Sequence, residues 1–365
     1  MPPVAPETRL RAWQVWLLVW RVHRWLGFAA AALLVLLSVS GSLLVVHHEL
    51  EAIFERDLHR APAAPSASPA PTLAEVAVAV APLAPEGYRL FRLLPAREVQ
   101  GTHKVLFLSA DGTTRWSAFV APATGEILWH GPDQRLFTPW LLGLHMQLHA
   151  GRAGYWVVGA AGVALTLLAT TGLYLHRDRL ASLGRSPFRL RLGWRVALAD
   201  LHKWIGVAAI YFPLVLGVTG TLYVVVSLDA RPAVTTEAVD PRRLPPLEPM
   251  LAEARTRFPD AEVLRLQFPA DPHGVATVLL LHRGNPPWQK FSSAAFDLGT
   301  GGLRGVRDAT RLTAGEQFRS MLAPLHFGFY GAAWVKWAYF LGGLAPAALA
   351  LTGLALARVR TRAAQ

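Results

Sequence analysis

Four runs of about twenty residues, at Trp25–Val46, Tyr155–Leu175, Trp204–Val226 and Trp337–Ala357, contain no Asp, Glu, Lys or Arg. Each is long enough to cross about 30 Å of hydrocarbon at about 1.5 Å per helical residue. Composition fits a bilayer. The chain of 365 residues is 53% hydrophobic and only 16% charged, where a soluble protein carries about 25% charged residues. Pro213 and Pro346 fall inside the third and fourth runs, positions that membrane helices tolerate.

The cations set an orientation. Arg9, Arg11, Arg21 and Arg24 precede the first run, and Arg358, Arg360 and Arg362 follow the last. Between runs two and three lie Arg177, Arg179, Arg185, Arg189, Arg191, Arg195 and Lys203, against only Asp178 and Asp200. By the positive-inside rule both termini and this loop are cytoplasmic. The net charge of +12 therefore reflects membrane topology, with no nucleic acid as partner. Ser38-Val39-Ser40 resembles a cleavage site, but the apolar run before it exceeds a signal core, so the segment is expected to be retained. Trp13, Trp16, Leu17 and Trp20 recur at helical spacing among Arg and predict an amphipathic helix in the inner interface.

The spans of the two halves align in pairs, each pair without gaps. Arg21-Val22-His23-Arg24-Trp25-Leu26-Gly27 matches Asp200-Leu201-His202-Lys203-Trp204-Ile205-Gly206, and Ser40-Gly41 falls on Thr219-Gly220. Leu144-His145 matches Leu325-His326, and Thr171-Gly172 matches Thr352-Gly353. The expected fold is an α-helical integral membrane protein, a four-span bundle from an internal duplication. Two small extracytoplasmic α+β domains complete it. In the first, a helix over Thr72–Ala81 precedes strands at Tyr88–Leu94, His103–Ser109 and Arg115–Val120. In the second, a helix over Leu247–Phe258 precedes strands at Glu262–Phe268, Val275–His282 and Lys290–Phe296. The resulting division is a cytoplasmic N-terminus (1–24), span 1 (25–48), outer domain 1 (49–140), and an outer His segment with span 2 (141–176). The basic loop (177–203), span 3 (204–227), outer domain 2 (228–320), an outer His segment with span 4 (321–357) and a cytoplasmic tail (358–365) follow. The Ala/Pro-rich stretch Arg60–Pro71 reads as a semi-extended linker.

The absence of cysteine removes iron–sulfur clusters, thiolate zinc sites and covalently attached haem, leaving His, Met or carboxylates for any redox metal. Thirteen His are present, and eight cluster at span ends. His23 and His202 share one depth on the inner side, and His145 and His326 share one on the outer side. Interfacial His can simply be solvated, but symmetric opposed pairs are what the axial positions of a haem iron need. Such a haem must be b-type. Gly27 and Gly206, four residues beyond His23 and His202, leave room on the same helix face for a porphyrin edge or for close helix packing. His149 lies one helical turn beyond His145 and aligns with Tyr330; it is placed as a ligand of a second haem or a propionate partner. His47, His48 and His176 break the symmetry and are reserve ligands. The four Ser/Thr-Gly pairs are expected to pack helices closely, with hydroxyls bonded back to helix carbonyls; room for a cofactor is the second explanation. His23 and His47 are separated by about 36 Å of helix, long for direct electron transfer between opposite faces.

His-[Arg/Lys]-Trp-[Leu/Ile]-Gly opening a span, Thr-Gly closing one, and Ala123-Thr124-Gly125-Glu126-Ile127-Leu128 together resemble the PepSY-associated transmembrane family of iron-regulated membrane proteins. Some members are ferric-siderophore reductases of the FoxB type. The resemblance runs from about Arg21 to Arg358. It implies a four-span, multi-pass protein of the bacterial inner membrane with two periplasmic PepSY-like domains and two b-type haems. Its His patterns carry over to His23, His202, His145, His149 and His326. Tyr330 in place of a second His149, and Gly302 in place of a second Glu126, depart from symmetry. The implied activity is an oxidoreductase passing electrons outward to a ferric siderophore or other ferric chelate. No nucleotide-binding motif occurs and the inner loop is short, so the donor is a quinol in the membrane lipid or a separate cytoplasmic reductase. The alternatives are a non-enzymatic membrane-anchored PepSY binding or regulatory protein, and a transporter. A transporter calls for a polar path that the charge-free spans do not offer.

Overall fold

A computed structural model describes residues 6–60, 69–97, 101–177, 189–229, 244, 247–269, 274–330 and 332–362. Most of the Ala/Pro-rich linker and residues 178–188 of the basic loop lie outside the described residues. The chain divides into two compact units. A helical unit comprises residues 1–46, 144–229 and 325–365, and a sheet-bearing unit comprises 47–143 and 230–324.

In the helical unit, α1 runs unbroken over Pro6–Val45. The Trp-rich stretch predicted as a separate interfacial helix is thus its first part. Nothing between Trp20 and Trp25 interrupts it: the sequence there holds neither Gly nor Pro, so helix propagation continues once begun. α6 (Gly151–His176) follows α5 (Phe137–Gln147). α11 (Ala333–Gly343) and α12 (Ala345–Arg362) form another long apolar element. Among the described residues, Leu10–Val45, Gly151–His176 and Ala333–Arg358 are each long and apolar enough to cross a membrane.

The third predicted span is two helices, α7 (Trp194–Ala208) and α8 (Tyr211–Asp229), bent by 61° at the break. Pro213 explains where the bend falls. Its ring cannot share space with the carbonyl four residues earlier, and that residue is Ala209, at the break. The pair qualifies as a fourth span only if the bent helices count as one. α6 and α8 meet through small residues. A methyl on Gly217 would stand 2.5 Å from Thr166 Oγ1, and one on Gly162 would collide with Thr221 Oγ1, so this contact depends on backbones approaching closely.

The other unit repeats one order of elements. α4 (Leu73–Val80) precedes β1 (Tyr88–Leu94), β2 (His103–Ser109), β3 (Arg115–Val120) and β4 (Ile127–Pro132). α9 (Leu247–Arg257) precedes β5 (Glu262–Gln267), β6 (Val275–Leu281), β7 (Phe291–Asp297) and β8 (Leu303–Arg307). Thr72 caps α4 in a reciprocal box with Glu75, as a Thr-x-x-Glu start predicts. Where two separate small domains were expected, the strands form one antiparallel sheet in the order β4-β3-β2-β1-β5-β6-β7-β8. The seam is short: Arg92 pairs Gln267 and Leu93 pairs Leu266. One hydrophobic core serves both halves, with Leu90, Leu93 and Val105 beside Leu266, Val278 and Leu280, all fully buried. Joining the halves covers two strand edges that would otherwise be open to other chains. Glu248 on α9 reinforces the join by accepting the Leu73 N–H at 2.9 Å. α2 (His47–Phe54) and α3 (Arg56–His59) lead into this unit, and α10 (Ala314–Phe327) leads out of it.

Candidate functional site

Two pairs of imidazoles meet inside the helical unit. His23 of α1 faces His202 of α7, with ring centres 6.4 Å apart and planes at 89°. His145 of α5 faces His326 of α10, with centres 6.3 Å apart and planes at 44°. These are the two pairs the sequence alignment predicts.

Each ring is held the same way. Nδ1 of His23 lies 2.9 Å from Thr171 Oγ1 and Nδ1 of His202 lies 2.8 Å from Thr352 Oγ1. Nδ1 of His145 lies 3.0 Å from Ser40 Oγ, and Nδ1 of His326 lies 3.0 Å from Thr219 Oγ1. Every one of these hydroxyls already donates to the carbonyl one turn back, at Leu167, Ala348, Leu36 and Val215 respectively. A hydroxyl has one proton. With that proton committed, the oxygen accepts from Nδ1–H, and all four imidazoles present Nε2 with its lone pair. That is the tautomer a metal ligand needs, fixed by a partner on the other ring nitrogen.

The glycine after each hydroxyl makes space for the ring. A Cβ on Gly41 would stand 2.7 Å from His145 Cε1, and one on Gly220 would stand 2.9 Å from His326 Cε1. The same contact is 3.3 Å at Gly172 with His23 and 3.5 Å at Gly353 with His202. The Ser/Thr-Gly pairs thus do bond back to their own helices, as expected, and also orient and cradle a His on another helix. The sequence reading missed that second role for Ser40, Thr171, Thr219 and Thr352. The available signal was that four hydroxyl-Gly pairs match four His in number and in repeat register. Gly27 and Gly206 instead meet the leucine methyls Leu168 Cδ2 at 3.5 Å and Leu349 Cδ2 at 3.7 Å, the helix-packing alternative.

The remaining candidates are members of neither pair, though His176 stands close enough to His23 and His202 to interact with both electrostatically. α5 ends at Gln147, and Leu148 and His149 take left-handed backbone angles, φ 51° and 52°. His149 is therefore turned off the helix face that carries His145, and it is exposed. The local cause is the sharp turn into Gly151. His176 places Nδ1 3.1 Å from the Gly172 carbonyl, closing the end of its own helix. His47 and His48 belong to the sheet-bearing unit, with ring centres 3.9 Å apart.

A family model described as the PepSY-associated TM region matches residues 20–360. The chain belongs to the PepSY-associated transmembrane family. Among curated proteins, an uncharacterized protein of Pseudomonas aeruginosa is 31% identical over 229 residues, covering 56% of this chain. The match spans 57% of that relative's length.

The family resemblance implies haem, and the donor set tests well against it. Two metal–nitrogen bonds of about 2 Å and about 1.2 Å from Nε2 to each ring centre add to about 6.4 Å, so an iron would fit between two imidazoles at that spacing if both Nε2 atoms turned towards it. Both pairs meet that spacing. The outer pair also lines an apolar cavity together with Gly41, Gly220, Tyr223 and Ser42, and Ser42 Oγ is buried without a hydrogen-bond partner. The cavity holds about 130 Å³, so a flat macrocycle would enter only by displacing lining side chains.

Proposed function

We propose that this protein is a b-type haem oxidoreductase of the bacterial inner membrane that carries electrons outward to a ferric chelate. The observation that carries the reading is the doubled imidazole pair, with both spacings suited to one iron and all four Nδ1 atoms anchored on a hydroxyl. His23 and His202 would hold the inner haem, and His145 and His326 the outer one. When bound, each haem supplies a one-electron iron couple.

The chain's own residues do the rest. Thr171, Thr352, Ser40 and Thr219 hold the imidazoles in the metal-binding tautomer, so little rearranges when the iron changes charge. The seventeen residues from His23 to Ser40 on α1 put the two sites about 25 Å apart along the helix. That is shorter than the separation to His47 that the sequence suggested, because the outer site lies level with Ser40. The arginine-rich segments support an orientation with both termini cytoplasmic, which makes the sheet-bearing unit periplasmic. The matched element order in the two halves supports a duplicated four-span bundle, the bent α7–α8 pair counting as one span. Chelators with hard oxygen donors hold Fe(III) far better than Fe(II), so one electron delivered to a ferric siderophore releases its metal. A membrane quinol or a separate cytoplasmic reductase supplies that electron.

A visible spectrum of the purified chain, oxidised and dithionite-reduced, tests the reading. Sharp reduced bands of six-coordinate b-type haem are expected, at two haems per chain. His23→Ala and His326→Ala should each remove about one. A colourless preparation would overturn the reading and leave a membrane-anchored binding protein. Reduced protein should be reoxidised by a ferric siderophore, and indifference to several ferric chelates would remove the substrate.

A further inference from the structure

Five side chains outside the paired sites gather on α2 and α3 of the sheet-bearing unit. They make two overlapping sets, His47, His48 and Glu51, and Glu51, Glu55 and His59. Within each set the donor atoms lie within 4.8 Å of one another. Glu51 of α2, Glu55 between the helices and His59 of α3 recur every four residues, with the helix broken at Glu55 (φ −129°, ψ 32°).

The geometry inside this set is unusual for plain ion pairs. His59 Nε2 stands 4.0 Å from Glu51 Oε2 and 3.8 Å from Glu55 Oε2. Both distances are too long for a hydrogen bond, and the nitrogen is buried without a partner. Ligands about 2.1 Å from one ion stand about 3.4 Å apart in a tetrahedral arrangement, so these donors need close by only about half an ångström to share one. The two carboxylates are only 15% and 12% exposed. The His48 and His59 imidazoles face them at 3.4–4.0 Å and carry charge only when protonated. Two half-buried carboxylates side by side need positive charge between them.

The surroundings hold the ligands in place. Glu55 Oε1 accepts the Phe137 N–H at 2.6 Å. The His59 carbonyl accepts from Gly101 N at 3.2 Å, and the Leu58 carbonyl accepts from the Thr102 hydroxyl at 2.7 Å. These bonds pin α3 against the sheet. On the open side, His48 Nδ1 lies 3.4 Å from Glu51 Oε2, and its side chain is 56% exposed. It offers both a ligand and a route of entry.

We propose that Glu51, Glu55 and His59 bind one divalent first-row transition-metal ion, with His48, which faces the same Glu51 oxygen, as the solvent-side ligand. Imidazole donors disfavour Mg(II) and Ca(II), and the lack of thiolate disfavours Cu(I), which leaves the Zn(II) and Fe(II) class. The site shares no residue with the imidazole pairs and stands whether or not these hold haem.

The test uses the full chain in detergent, stripped with a chelator and titrated with Zn(II) alone and, without oxygen, with Fe(II) alone. Bound metal is measured by elemental analysis after gel filtration and by calorimetry. One equivalent of at least one of the two ions is expected beyond any haem iron. Glu51→Gln and His59→Ala should each weaken it at least about tenfold, while His145→Ala keeps it and Glu51→Gln leaves the visible spectrum unaltered. The exposed His48→Ala should also weaken binding and disturbs no buried packing, so it decides the matter if the other variants fold poorly. No binding by the unaltered chain, or full affinity in His48→Ala together with either buried variant, would overturn the proposal.

Discussion

Substituting alanine at the four ring-cradling glycines gives a graded test of the paired sites. The added methyl would stand 2.7 Å from the imidazole at Gly41, 2.9 Å at Gly220, 3.3 Å at Gly172 and 3.5 Å at Gly353. Carbon atoms rest about 3.5–4.0 Å apart. The His145 ring must therefore retreat by at least about 0.8 Å in Gly41→Ala, and the His326 ring by at least about 0.6 Å in Gly220→Ala. Metal–ligand distances are held within about ±0.2 Å, so either retreat exceeds what a coordinated ring can absorb. At Gly172 and Gly353 the needed movement falls to about 0.2 Å or less, within that tolerance. Overpacking of this kind costs about 1–3 kcal/mol, enough to impair a site without unfolding the unit. The assay is haem stoichiometry with a reductive titration. Gly41→Ala and Gly220→Ala should lose the outer component, falling from two haems towards one or shifting one midpoint potential. Gly172→Ala and Gly353→Ala should retain both. Full stoichiometry with unshifted potentials in the first two, or greater loss in the last two, would refute the cradle argument.

Further expectations concern the same framework. Thr171→Val or Thr352→Val keeps the shape but removes the Nδ1 partner, and should weaken inner haem retention about 10–100-fold, measured as transfer to a haem scavenger. Leu266→Ala, at the fully buried seam position facing Leu93, should destabilise the sheet by about 2–5 kcal/mol, read by denaturant unfolding. Asp297 is held down to about 2 by the Arg304 guanidinium and by Thr300, and Asp111 is held down to about 2 by the Ser109 and Thr113 hydroxyls. Both sit at strand turns. A depressed carboxyl stabilises the fold above its unfolded value near 3.9 and loses that support as pH falls towards 2. Asp297→Asn and Asp111→Asn should therefore lower the stability of the sheet at pH 7, with the difference from the unaltered chain shrinking between about pH 4 and pH 2; equal stability at pH 7 would remove these turns from the balance.

Local patterns were the legible part of this chain. β1, β2 and β3 occupy the stretches that alternation and turn residues mark out, and β5, β6 and β7 differ from theirs by a residue or so at either end. The His23–His202 and His145–His326 pairs were readable because an ungapped alignment places both members at one depth. What escaped was long-range. Nothing local says that the β1 and β5 edges will meet, and the two pairings that join them leave no periodic trace. The partner of each hydroxyl lies 105 to 148 residues away in the first half of the pattern, so the four Ser/Thr-Gly pairs looked like packing. Pro213 was noticed, but the size of the 61° turn depends on how α7 and α8 settle against neighbours. His149 looked to share a helix face with His145 only while the helix was assumed to continue. Glu55 and His59 passed unremarked because a short interrupted helix gives no sustained periodicity.

The seam between β1 and β5 has a bearing on how such a chain must be made. Two ladder pairs and a shared interior weld the first quartet of strands to a partner that is synthesised some 170 residues later. Until that second quartet emerges, the first has a bare, sticky flank with nothing of its own to lay against it. Cutting the gene in two would give each product a raw border hungry for a neighbour, and the cell a precipitate.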